Sequence, residues 1–506
     1  MKTHTSIVAV IAAGLFCVSL TARVQSEGLY TADWESLKKQ EPAPEWFKDA
    51  KFGIYFHWGV YAVPAYGSEW YPRNMHLKDR KEYTHHLETY GSPAEFGYHD
   101  FVPMFTAEKF DPDEWADLFE EAGARFAGPV AEHHDGFAMW ASELTPWNVK
   151  DKGPKRDITG EIAKAIRARG MRLFTSFHHA RNNQHQIMRD GKLVWTGHYP
   201  RVDGWPTVSN DPELRLLYGN IPRDAFLDFW YGKLKEVIDN YQTDIIWFDS
   251  WLDEIPDEYT TKFLAYYFNS ADNWGKEVVV TRKQDDLPLE VSILDIEKGR
   301  LKDVTEHTWL TDDTISKGSW CYTRDLEIKP TSQVLHSLID IVSKNGVLVL
   351  NISPKSDGTI PENQQAVLRE MGRWLAAHGE AIYGTRPWKV YGEGPTDKII
   401  PEGRFGGISD PKDGYTFEDI RYTRSKDGRT LYVIALGWPG AGRVIIPESL
   451  EKNSITGTIT GVSMIGSDRP VSWKWQNERL ALTTPKEKVN DLAVVFKITA
   501  DSAVFK

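Results

Sequence analysis

The chain has 506 residues, 41% of them hydrophobic and 26% charged, and a net charge of −12 at neutral pH. That length exceeds one ordinary core, so two domains are expected, and the composition is that of a water-soluble globular protein. The acidic balance argues against nucleic acid or an anionic membrane as partner. The unusual quantity is aromatic, with 20 Trp and 21 Tyr. An indole offers the flat apolar face on which a sugar ring stacks, so carbohydrate enters as an early candidate ligand.

At the N-terminus, Met1 and Lys2 precede the apolar run SIVAVIAAGLFCVSLTA, residues 6–22. This is the pattern of a signal peptide, with cleavage expected after Ser26, and the run is at the short end for spanning a bilayer. A secreted or periplasmic location follows. Removal of residues 1–26 takes Cys17 with it and leaves Cys321, so no internal disulfide is expected despite the compartment.

From residue 45 to 390, β-rich runs alternate with helical patterns, the signature of a parallel sheet. Eight strands are expected, over 52–58, 125–133, 171–179, 244–250, 277–281, 291–297, 319–322 and 346–352. Between them lie amphipathic helices such as DPDEWADLFEEAG, with an Asp cap and a closing Gly123, and RDAFLDFWYGKLKEVIDNY. Eight such units predict a (β/α)8-like barrel over residues 27–389. After Trp388 the runs become short, β-branched and separated by turn residues, which predicts a C-terminal all-β sandwich over 390–506. A long polar stretch from Arg181 to Asn220 follows the third strand and is a candidate pocket wall.

A barrel places its active site where the strands end. The polar residues there are His57, Glu69 and Trp70 after the first strand, His133, His134 and Asp135 after the second, and His178 and His179 after the third. Asp249 ends the fourth, Arg282 follows the fifth and Glu297 ends the sixth. A carboxylate after the apolar run IIWF is costly to bury without a purpose. Two carboxylates on different strands facing one pocket are what glycoside hydrolysis requires, and Asp249 and Glu297 are the expected pair. A metal centre built from His57, His133, His178 and Asp249 is the competing reading. Against it, adjacent strand histidines should point to opposite faces, and no HxH or HExxH spacing accompanies them. No metal or other cofactor is therefore expected. A non-catalytic carbohydrate-binding protein is the third reading, which would leave the carboxylates unused.

Several long blocks resemble glycoside hydrolase family 29, the α-L-fucosidases. They are WFKDAKFGIYFHWGVYAVPAYGSEWYPRNM (46–75), AGARFAGPVAEHHDGFAMWASELTPWNV with GPKRDITGEIAKAIRARGMRLF, the strand YQTDIIWFDS, and SKNGVLVLNISPKSDGTIPENQQAVLREMGRWLAAHGEAIYGTRPW. The resemblance runs over about residues 30–390 and implies the same barrel and sandwich. It implies Asp249 as the nucleophile of a retaining, exo-acting enzyme, and places His57, Glu69, Trp70, His133, His134, Trp247 and Arg282 on positions lining a fucose pocket. Trp320 would add an aromatic wall. Where the family tends to carry tyrosines and serine after the third strand, this chain reads TSFHHARNN, so His178 is expected to supply the contact. The acid/base is expected at Glu297, with Glu290, Glu306 and Glu69 as competitors. Trp195 and Trp205 are candidates for meeting the leaving group. The implied partner is a fucosylated glycan or fucose-containing polysaccharide; the sequence does not fix linkage or oligomeric state.

Overall fold

The computed structural model describes residues 28–398 and 407–505, so the expected signal peptide lies outside the described residues. Eight strands close a barrel: β1 (Phe52–Phe56), β2 (Phe126–Glu132), β3 (Arg172–Phe177), β6 (Ile245–Phe248), β7 (Val279–Lys283), β8 (Ile293–Asp295), β9 (Trp309–Thr314) and β10 (Gly346–Ile352). They pair in parallel in the order β1-β10-β9-β8-β7-β6-β3-β2. The intervening β4 (His185–Arg189) and β5 (Lys192–Thr196) form an antiparallel hairpin in the loop after β3.

Inside the barrel every second residue points inward. Tyr55, Phe126, Val130, Phe174, Ile245, Trp247, Val279, Ile293, Leu310, Val347 and Val349 form one buried cluster, which Phe47 of the helix Glu45–Ala50 also joins. Space within it is tight: a Cβ on Gly53 would lie 2.1 Å from the Phe126 ring, and one on Gly128 would lie 1.7 Å from the Phe174 carbonyl oxygen. The outer faces of the strands pack on helices such as Pro112–Glu121, whose first turn is held by the Asp111 carboxylate accepting from the Asp113 and Glu114 amides. The long helix Arg223–Tyr241 forms where the sequence predicts it.

One expected strand is misplaced. Residues 319–322 are loop, and the seventh barrel strand is β9, WLTDDT. Its Asp312 and Asp313 make it read as polar, whereas the aromatic SWCY mimics strand composition; Asp312 is tolerated because it faces the charged upper layer of the barrel.

Beyond the barrel, β11 (Arg386–Glu393), β12 (Ile420–Arg424), β13 (Thr430–Ala435), β18 (Val494–Ala500) and β15 (Ile459–Met464) make a five-stranded antiparallel sheet, in the order β11-β12-β13-β18-β15. A second sheet joins β14 (Val444–Ile445), β17 (Arg479–Thr483) and β16 (Ser472–Gln476). Leu431, Val433, Val494, Phe496 and Ile498 of the large sheet and Leu480 and Leu482 of the small one share a core, as a sandwich requires. On the other face of the large sheet, Tyr432, Ile434 and Val495 belong to the barrel's core, and Trp374 Nε1 donates to the Ala493 carbonyl at 3.0 Å. Asp340, fully buried on the helix Thr331–Ser343, joins Arg421 of β12 at 2.5 Å, Arg300 at 3.2 Å and Lys344 at 2.8 Å. Among the described residues no helix is long and apolar enough to cross a membrane.

Candidate active site

A cavity of about 440 Å³ opens at the carboxyl ends of the barrel strands, a volume that accommodates a monosaccharide. Its lining includes His57, Glu69, Trp70, His133, His134, His178, Trp247, Asp249, Glu297 and Trp320. All ten are residues that the sequence places at the site. Arg282, also expected there, is absent from the lining. Its guanidinium turns out of the barrel to the Gln284 carbonyl and to Asp285, while Lys283 occupies the pocket. The parity of β7 explains this: Val279 faces the barrel interior, so Thr281 and Lys283 share its face and Arg282 does not. The same parity places Trp247 and Asp249 together on the inward face that Ile245 begins.

In β2, a bulge between Val130 and Glu132 shifts the register, so that Glu132 turns outward to pair with Lys233 at 2.6 Å. The strand ends there. His133 and His134 thus lie beyond the pleat and both reach the cavity, against the expectation of opposite faces. Asp135 points away from the cavity and accepts from Tyr98 Oη at 2.6 Å; burial raises its carboxyl to about 7. His179 likewise leaves the site, its Nε2 facing the Trp230 carbonyl. Trp195 is half exposed on the hairpin against Arg201, and Trp205 packs by His76 and Tyr83; neither lines the cavity. Of the competing glutamates, Glu290 and Glu306 are exposed and outside it, whereas Glu69 is within it.

Asp249 lies 3.2 Å from His134 Nε2, 3.4 Å from His178 Nδ1 and 3.4 Å from Lys283 Nζ. Burial alone would raise its carboxyl, but the Lys283 ammonium and the two imidazoles outweigh that and hold it well below the usual carboxylate range. Lys283 also reaches Glu297 at 3.0 Å and, deeper in the barrel, Asp295 and Asp312, each at 3.6 Å. One ammonium among four carboxyl groups cannot neutralise them all. Burial and mutual repulsion push the Asp295 carboxyl well up and raise that of Asp312.

Three of the imidazoles, His57, His133 and His134, are held towards the neutral form. Burial, reinforced by neighbouring histidines, holds His57 and His133 well below their ordinary value, and burial lowers His134 to about 4. Asn351 fixes the tautomer of His57. Its Nδ2 donates to the Trp320 carbonyl at 2.7 Å and its Oδ1 accepts from the His57 amide at 2.9 Å, so the contact of 2.8 Å to His57 Nδ1 is an N–H donating to Oδ1. His57 Nε2 is left as an acceptor for a hydroxyl. Glu69 accepts from the Trp320 amide at 3.1 Å and Ser319 Oγ at 3.3 Å, and burial raises its carboxyl. Two donor groups, His57–His133–His178 and His134–His178–Asp249, each fall within 4.8 Å and have the composition to hold a divalent metal.

A parallel barrel whose strand ends bring two carboxylates together among tryptophans and neutral histidines is the construction of a glycoside hydrolase. Comparison with known proteins specifies the kind: the chain belongs to the α-L-fucosidase family, whose model matches residues 17–380, while the alpha-L-fucosidase C-terminal domain matches residues 412–499. It is 32% identical to the tissue alpha-L-fucosidase of Rattus norvegicus over 481 residues, covering 90% of this chain and 89% of that one. With the human (Homo sapiens) tissue enzyme it shares 32% over 462 residues, 89% of this chain and 86% of the relative. The solved α-fucosidase of Thermotoga maritima in complex with fucose superposes with a TM-score of 0.71 at 30% identity, over 92% of this chain and 99% of that chain.

Proposed function

We propose that this α-L-fucosidase is exo-acting and retaining, removing terminal α-linked L-fucose through a covalent fucosyl-enzyme, with Asp249 as nucleophile and Glu297 as acid/base. The observation that carries this reading is Lys283, which touches both carboxylates. Its contacts of 3.4 Å to Asp249 and 3.0 Å to Glu297 support a pair that faces one space and acts on one glycosidic bond.

In the first step an Asp249 oxygen bonds to the anomeric carbon as the bond to the leaving oxygen breaks, and Glu297 gives that oxygen its proton. In the second, Glu297 removes a proton from water, the water oxygen bonds to the anomeric carbon, and the ester to Asp249 opens. Neutral His57 and His133 meet the sugar hydroxyls, His134 adjoins the nucleophile Asp249, and Trp247 and Trp320 offer apolar wall to the C6 methyl. A substrate of fucosylated glycan or fucose-containing polysaccharide follows from the family. The apolar run at 6–22 supports export, which N-terminal sequencing of extracellular and periplasmic fractions tests.

The primary experiment is hydrolysis of 4-nitrophenyl α-L-fucoside by the mature chain, with the released anomer identified by NMR. D249N should lower kcat by on the order of 10³-fold or more. E297A should be rescued by azide, whereas E69Q should not; release of the inverted sugar first, or rescue at Glu69 alone, would sink the assignment. The histidine clusters give a metal-dependent hydrolase its one supporting observation, and loss of activity in a chelator, restored by zinc, would favour that reading instead. Sugar binding with no turnover would favour a carbohydrate-binding protein.

A further inference from the structure

Three pocket loops begin with a backbone that residues bearing a Cβ rarely adopt. Lys298 (φ 47°) follows Glu297, Gln284 (φ 50°) follows Lys283, and Trp251 (φ 88°) stands two residues beyond Asp249. Such conformations cluster at functional sites because the surrounding structure must hold them there. For Trp251 the holding contact is visible: the Arg181 guanidinium lies 3.7 Å from its ring centroid, and Trp70 flanks the same guanidinium at 5.6 Å. The half-buried indole of Trp251 lines the cavity, together with Asp253 of its own loop and Gln284 and Asp286 of the next, whereas Arg181 stands behind it and outside the lining. Asp286 carries a buried oxygen, Oδ2, with no hydrogen-bond partner.

These side chains are not part of the histidine-lined floor. They come from the loops after β6 and β7, and β7 stands between the strand leading to Asp249 and the strand leading to Glu297. The leaving oxygen must lie at Glu297, so whatever it carries is directed over this rim. We infer that Trp251, Gln284 and Asp286 form a subsite for the leaving group, built for a neutral pyranose whose face stacks on the indole and whose hydroxyls donate to the carboxylates. An aromatic platform suits the apolar face of a sugar ring, and carboxylates lining the cavity accept from its hydroxyls. The same carboxylates, Asp253 and Asp286, repel a sulfated or carboxylated leaving sugar. This inference rests on the fucosidase reading above and assigns the substrate class to the far half of the same site.

The test compares α-L-fucosyl fluoride, which has no leaving sugar, with fucosyl-galactose and fucosyl-N-acetylglucosamine disaccharides and with a 6-sulfated fucosyl-galactose. Wild type should prefer the neutral galactoside over its sulfated counterpart by at least tenfold in kcat/KM. W251G, whose glycine accepts the backbone without strain, should lower the ratio of disaccharide to fluoride kcat/KM at least tenfold, and W251F should restore most of it. D286N should narrow the discrimination against sulfate. An unchanged ratio in folded W251G, or wild-type preference for the sulfated sugar, overturns the subsite. Inactivity of wild type towards the fluoride and every disaccharide overturns the fucosidase reading itself.

Discussion

A single step along β7 decides which cation the nucleophile meets. Lys283 and Arg282 both carry a positive charge, but only Lys283 shares the inward parity of Val279, and that parity could have been applied to the sequence directly. K283M should therefore lower kcat by about 10²-fold or more, since it removes the charge that favours ionised Asp249, while R282M should stay near wild type; steady-state kinetics on an aryl fucoside distinguishes the two. Asp249, Glu297 and most of the histidines were legible as polar residues at strand ends. The outward turn of Asp135 was not, because it depends on Tyr98, 37 residues away in sequence. Asp135 also makes a pH prediction. Its carboxyl is raised to about 7 in the fold from an ordinary value near 3.8, so the folded state holds the proton more tightly. Its stabilising contribution is complete below the unfolded value and is lost as pH rises through about 7. D135N cannot ionise, so the melting temperature of wild type relative to D135N should fall between pH 4 and pH 8; a constant difference would contradict the assignment.

Among the elements, the barrel strands divide into apolar lower layers and a charged upper one, and this division set what could be read in advance. Strands with apolar interiors, such as β6 and β10, announce themselves. By contrast, β9 contributes Asp312 to the upper layer and hides its identity, while the bulge in β2 is invisible without the pairing it disrupts. The lower layers are packed to the limit. Gly128 faces the Phe174 carbonyl, which is backbone and has no rotamer into which to retreat. G128A should thus cost at least the roughly 1–3 kcal/mol typical of overpacking, measured by denaturant unfolding, and an alanine tolerated without loss would show that the strands separate more easily than this packing implies.

At the scale of the whole molecule, turn signals and β-branched runs revealed that a β domain follows the barrel, but not how closely the two are joined. The large sheet alternates on both sides, giving Leu431 and Val433 to the sandwich and Tyr432 and Ile434 to the barrel. Asp340 adds a fully buried charge shared by Arg300 and Lys344 of the barrel and Arg421 of the sheet. D340A would leave those cations without their common partner and should destabilise the protein by about 3–5 kcal/mol. Calorimetry should show wild type unfolding in one transition, and two well-separated transitions would mean that the shared surface carries little of the stability. Chimaeras inherit the consequence. A recombinant that exchanges the C-terminal domain with a relative's at residue 390 would mismatch the helices on which the sheet rests. A crossover ahead of Thr331 instead carries the helices Thr331–Ser343 and Glu362–His378 along with their sheet, and is where shuffled members of the family should recover folded progeny.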